Sequence, residues 1–169
     1  TLAYPNQVKA LTLLSLPYMT TNNAHSHLVR HVFPHMKQTM EAGHPHFLRQ
    51  YDELLKGYTT LGPDDMGLRQ YFRVLLGYPV GHLSEMVELT SNSTLLLELA
   101  EVSCPVLILT GELNRTSPDA LVNASSFLLK NCTLITVSNA SFLLFIEQPE
   151  QVAEWVRLFA ARIRVDRFS

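Results

Sequence analysis

The sequence predicts an α/β architecture with parallel strands and flanking helices, and three features between Val102 and Phe159 predict it. Two short runs rich in branched residues, Pro105-Val106-Leu107-Ile108-Leu109-Thr110 and Cys132-Thr133-Leu134-Ile135-Thr136-Val137, have the length and composition of buried parallel strands. The first is closed by Gly111-Glu112. A helix-period stretch, Ser117 to Lys130, lies between them. After Phe142-Leu143-Leu144-Phe145-Ile146 and Glu147-Gln148-Pro149-Glu150 comes an amphipathic helix with Val152, Trp155, Val156 and Phe159 on one face. Strand, helix, strand, helix with short links is the grammar of a doubly wound sheet.

The chain has 169 residues, enough for one domain with its own core. Its apolar fraction of 47% is that of a globular protein, and charged residues are sparse. A net charge of −2 argues against a nucleic-acid surface or a polybasic membrane anchor. No run approaches the ~20 apolar residues that span a bilayer. At the start, Leu2 to Ser15 reads as a helix end, a Pro5 turn and a short strand, Leu11 to Ser15.

The middle of the chain leaves the sheet pattern. Leu28, Val29, Val32 and Phe33 predict a helix ending near Pro34, and Met36, Met40 and the stretch Phe47 to Leu55 predict more helix. Gly57 to Pro63 is a turn region. Asp64 or Asp65 can cap a helix over Met66 to Leu76, with Leu68, Tyr71, Phe72 and Leu75 on its apolar side. Leu83 to Leu89 and Thr94 to Leu99 predict two short helices. No internal repeat or low-complexity tract occurs.

Two sets of motifs resemble the α/β-hydrolase fold. Pro105 to Glu112, the strand about twenty residues later, and Glu147-Gln148-Pro149-Glu150-x-Val152 look like that family's C-terminal segment. Leu2-Ala3-Tyr4-Pro5-x-x-Val8-x-x-Leu11 looks like the end of the helix that follows its nucleophile. The order of the two implies the family's second half. Residues 1–16 would be the end of that helix and a core strand, 17–100 a helical cap, and 101–169 the C-terminal core. The Gly-x-Ser-x-Gly elbow is then expected upstream of Thr1, in keeping with its absence from the sequence. The chain would be a fragment, a processed product or a truncated homologue. Lack of a leader is thus silent on compartment, and lumenal and cytoplasmic locations stay equally open.

The same resemblance places the catalytic acid at Asn114 and the catalytic histidine at Phe142, preceded by Ser141 where the family has glycine. A serine triad needs a carboxylate to orient and stabilise the imidazole. Asn114 keeps the shape and loses the charge. No tuning makes Phe142 a base. The alternative acid position, after Ser15, offers only Leu16-Pro17-Tyr18, and no histidine follows His82. A base would have to come from the histidines between His25 and His82.

His27, His31 and His35 recur every four residues, and His44-Pro45-His46 follows. Pairs four apart can bind zinc, but the predicted stop at Pro34 and the lack of a completing Cys, Asp or Glu argue against a metal. Five of the eight asparagines stand in glycosylation sequons: Asn92, Asn114, Asn123, Asn131 and Asn139. Cys104 and Cys132, both at strand starts, read as two buried thiols, with a disulfide as the other reading. No cofactor motif is present, so none is expected.

The expected function is a hydrolase-fold protein that does not hydrolyse. It would keep a cap pocket for an apolar acyl or ester-like small molecule, or serve as an interaction surface. The alternative is an active serine hydrolase, esterase- or lipase-like, or an acyltransferase, whose nucleophile lies upstream. A third reading has an N-terminal half or a partner chain completing the sheet at its first strand.

Overall fold

A computed structural model gives the fold and describes residues 3–4, 6–15, 27–44, 46–79, 82, 85, 98–116 and 119–165. Three strands, β1 (Leu11–Leu14), β2 (Val106–Gly111) and β3 (Cys132–Val137), form a parallel sheet in the order β1-β2-β3. Leu11 pairs with Val106, and Val106 with Cys132. Side chains alternate across the sheet, so this register divides the strands into two faces. Leu11, Leu13, Val106, Ile108 and Leu134 pack with Leu99, Val102 and Leu129 on one face. Leu107, Leu109, Ile135 and Val137 pack with Val152, Val156 and Phe159 on the other.

The connections match the α/β reading. Helix α4 (Asp119–Leu128) links β2 to β3, and α6 (Pro149–Val165) covers the second face. Between β3 and α6 lies one short helix, α5 (Leu144–Glu147). β2 is central, and its residues 106–109 are at most 1% exposed. Full burial of such side chains is worth about 1.5–3 kcal/mol each. β1 is half-buried and contributes less.

The helices of the middle segment are α1 (Phe33–Glu41), α2 (Asp52–Leu55) and α3 (Met66–Gly77). A π turn, Leu28–Val32, runs directly into α1, so the helix expected to stop near Pro34 continues through it. Pro34 falls in the first turn of α1, where its missing N–H costs no helical hydrogen bond. A 3₁₀ turn, Phe47–Tyr51, runs into α2. Asp65 caps α3 as expected: its Oδ1 accepts from Leu68 N at 2.9 Å. Leu68, Phe72 and Leu76 form the buried face, and they cluster with Val29, Phe33, Met36, Leu48, Tyr58 and, from the other end of the chain, Phe142 and Leu143. The predicted helices at Leu83 to Leu89 and Thr94 to Leu99 lie largely outside the described residues.

Both cysteines are free and half-buried, less enclosed than expected, since each sits at the rim where a strand begins. Partial burial raises the Cys132 thiol pKa above its usual value. No described helix is long and apolar enough to cross a membrane.

The end of β2 has no spare volume. A Cβ on Gly111 would stand 2.2 Å from Ser141 O and 2.4 Å from Ala140 O, and both obstacles are backbone. Gly111→Ala is therefore expected to abolish the cooperative thermal transition. Gly62→Ala, where a Cβ meets nothing within 4 Å, should melt like the parent. A wild-type-like melt for Gly111→Ala would show that β2 and the 140–141 backbone do not touch.

Candidate functional site

The close approach at Gly111 brings together two loops beyond the carboxyl ends of β2 and β3. Leu113 N donates to Ala140 O at 2.8 Å, and Asn114 N to Gly111 O at 3.1 Å. These bonds fold the β2 loop against the β3 loop and bury Asn114. Its Oδ1 accepts from Thr116 N at 2.9 Å and from Thr116 Oγ1 at 2.7 Å. A backbone N–H only donates, so the atom facing it is the amide oxygen. The other end, Nδ2, is buried without a hydrogen-bond partner.

Phe142 follows in the β3 loop. Its ring stacks on Tyr58 with centroids 4.7 Å apart and planes at 29°. Tyr58 meets Phe33 edge-on at 6.2 Å, and Phe33 meets Phe72 edge-on at 5.6 Å. Offset and edge-on pairs of this kind add about 0.5–1.5 kcal/mol each beyond area burial. The Tyr58 and Tyr71 hydroxyls lie 3.2 Å apart, and Tyr71 meets Phe145 at 5.9 Å. Burial, with the neighbouring Tyr71 adding to it, holds the Tyr58 phenol well above the usual tyrosine range. Burial raises Tyr71 as well, against the Tyr58 hydrogen bond.

Ser141 ties the same region together. Its Oγ lies 3.3 Å from Gly57 O and 3.4 Å from Leu113 O, so one hydroxyl is shared between the β2 loop and the turn that carries Tyr58. Ser141 N donates to Glu147 Oε2, and Glu147 Oε1 accepts from Thr60 N at 2.8 Å. One carboxylate thus fastens the β3 loop to the turn after Tyr58. Neither Tyr58 nor Glu147 is singled out by the sequence. Glu147 stands inside the Glu-Gln-Pro-Glu motif, but no local signal marks Tyr58.

The structure therefore joins the loop of Asn114 to that of Ser141 and Phe142, and ties the latter to Gly57, Tyr58 and Glu147. The histidines are elsewhere. His27 and His31 lie on one helix with ring centroids 5.1 Å apart, and they, His35, His44, His46 and His82 are all exposed. His25 lies outside the described residues. Among those described, no group of three or more His, Cys, Asp or Glu could hold a metal ion. His46 and Arg49 face Asp64, with Arg49 forming two hydrogen bonds to it at 3.2 and 2.7 Å.

Of the sequon asparagines, Asn123, Asn131 and Asn139 are exposed, and Asn139 has a left-handed φ of 55°. Asn114, by contrast, is buried, with its amide nitrogen inside the fold. Asn92 lies outside the described residues.

Chemically, the arrangement presents a buried amide whose oxygen is bonded to Thr116, a buried phenyl ring and a phenol stacked on it. This core is similar to several solved structures. MenH from S. aureus matches with a TM-score of 0.62 and 17% identity, over 93% of this chain and 60% of that one. A thermophilic esterase from Thermogutta terrifontis matches at 0.62 and 15%, over 95% and 58%. 2-Hydroxy-6-oxo-6-phenylhexa-2,4-dienoate hydrolase from Rhodococcus sp. strain RHA1 matches at 0.60 and 14%, over 91% and 56%. The chain has a partial α/β-hydrolase fold. It spans about 60% of the length of the hydrolase-fold structures it matches. No protein-family model and no curated protein sequence matches it.

The Tyr58 environment sets a pH dependence. With its pKa raised in the folded state, the native chain keeps a proton that the unfolded chain loses above about pH 10. Stability should then fall as pH rises past that point. Tyr58→Phe removes this titration, so urea midpoints measured from pH 8 to 11 should decline less steeply in the variant. Equal slopes would show that Tyr58 ionises freely.

Proposed function

We propose that the hydrolase frame in this chain binds rather than hydrolyses. The observation that carries this reading is Phe142: the family's base position holds a buried ring stacked on Tyr58. A base there would have to reach a nucleophile, and Phe142 neither accepts a proton nor stands free to be replaced by a neighbour. Asn114 adds to the case, because its oxygen is committed to Thr116 and its free end is a donor. An imidazolium needs an acceptor carrying negative charge at that point.

In this reading residues 17–100 form a cap over the core segments 1–16 and 101–169. The cap and core together take an apolar acyl or ester-like small molecule. The esterases among the similar structures suggest that ligand class by analogy of fold alone. Exposed Asn123, Asn131 and Asn139 would carry glycans if the polypeptide enters a secretory compartment.

One observation favours the other reading, an active serine hydrolase with its nucleophile outside this chain. The frame around the replaced residues is well kept: Gly111 is sterically required, and Glu147 still clamps the β3 loop. Reaction of the longest native form of the polypeptide with a fluorophosphonate probe separates the two. We expect no serine labelling in folded protein. Labelling that is lost on heat denaturation would reveal an activated nucleophile and overturn the silent reading.

A further inference from the structure

Among the described residues, two buried side-chain polar atoms lack any hydrogen-bond partner: Ser15 Oγ and Asn114 Nδ2. Ser15 is 2% exposed and Asn114 8%. Native proteins satisfy nearly all buried polar atoms, so each exception asks for a ligand, a water or a functional reason.

The two exceptions follow the carboxyl ends of neighbouring strands. Ser15 follows β1 directly, and its N–H donates to Leu109 O at 2.9 Å. Leu14 pairs with Leu109, which sets Ser15 beside Thr110 on the next strand. Asn114 N bonds to Gly111 O, one residue further along β2. Neighbouring strands are about 4.8 Å apart, so both residues stand at the carboxyl edge of the same pair of strands. Open parallel sheets bind ligands at that edge.

Ser15 carries a second mark. Its φ is 47°, in the left-handed region that side-chain-bearing residues avoid. Such conformations persist where surrounding structure enforces them, and they cluster at functional positions. Here the Leu109 hydrogen bond holds the backbone in place. A glycine would fit the geometry better, yet the position carries a hydroxyl.

We propose that Ser15 and Asn114 form a binding site for the carboxylate of a small acyl-type acid. Asn114 can offer only its N–H₂, because Thr116 occupies its oxygen. The Ser15 hydroxyl is free to donate as well. Two donors call for an acceptor-rich group, and a carboxylate has two oxygens with about four lone-pair sites. An ammonium or a guanidinium has none. The Asn that would fail as a triad acid is in this way the right residue for holding an acid. This inference rests on the ligand-binding reading above and names the polar end of the ligand.

Octanoate and 1-octanol serve as probes, titrated calorimetrically into wild type, Ser15→Ala, Ser15→Gly and Asn114→Ala. Losing one hydrogen bond to a charged group should weaken octanoate by about ten-fold or more in each variant, with octanol little changed. Ser15→Gly should also melt higher than wild type, because glycine tolerates the left-handed φ. Its binding loss then cannot come from unfolding. If Asn114→Ala fails to fold, the two Ser15 variants decide the question. Unchanged octanoate affinity in folded Ser15 variants overturns the inference. Wild type that binds octanol and not octanoate also overturns it, while leaving the ligand-binding reading intact. Wild type that binds neither probe overturns both.

Discussion

The stack of Phe142 on Tyr58 joins the two parts of this molecule. Tyr58 belongs to the helical middle of the chain and Phe142 to the loop after the last strand. Their contact places Phe142 and Leu143 in the core of the helices rather than in that of the sheet. Around it the polar bonds run the same way: Ser141 Oγ to Gly57 O, and Glu147 between Ser141 N and Thr60 N. Apolar stacking supplies the attraction, and the hydrogen bonds fix the register at which it occurs. The Phe142 ring is therefore a structural rivet.

That arrangement constrains the chemistry on both sides. Gly111 lets the β2 loop press on the β3 backbone, which sets Asn114 and Phe142 in adjoining loops. In the reading proposed above, these loops hold the positions of an acid–base pair without the charges that would operate it. What remains unpaired is a donor, Asn114 Nδ2, and a hydroxyl, Ser15 Oγ, at the ends of neighbouring strands. On the proposal made above, these two groups hold an oxyanion.

Much of this is legible in the sequence, for local reasons. β3 occupies the predicted residues because its ends are marked by Asn131 and Ser138 turns, and β2 because Pro105 and Gly111 bracket it. α3 begins where Asp65 can cap it. The family spacing leads to Asn114, Ser141 and Phe142, and the structure does bring their loops together. Pro34 misleads because proline ends a helix from its interior and is tolerated in a first turn, and here it stands in the first turn of α1 directly after a π turn. Tyr58 and Ser15 are illegible for a different reason. The role of Tyr58 comes from a partner far along the chain. That of Ser15 comes from a backbone angle and an unmet hydroxyl, which depend on the neighbouring strand.

The most direct test is a double-mutant cycle on the rivet itself, with Tyr58→Leu, Phe142→Leu and the double variant compared by urea denaturation. If the two rings join the helices to the sheet, their losses should be coupled by about 0.5–1.5 kcal/mol. Losses that add to within about 0.3 kcal/mol would mean that Phe142 and Tyr58 do not act on each other, and would reopen the base position.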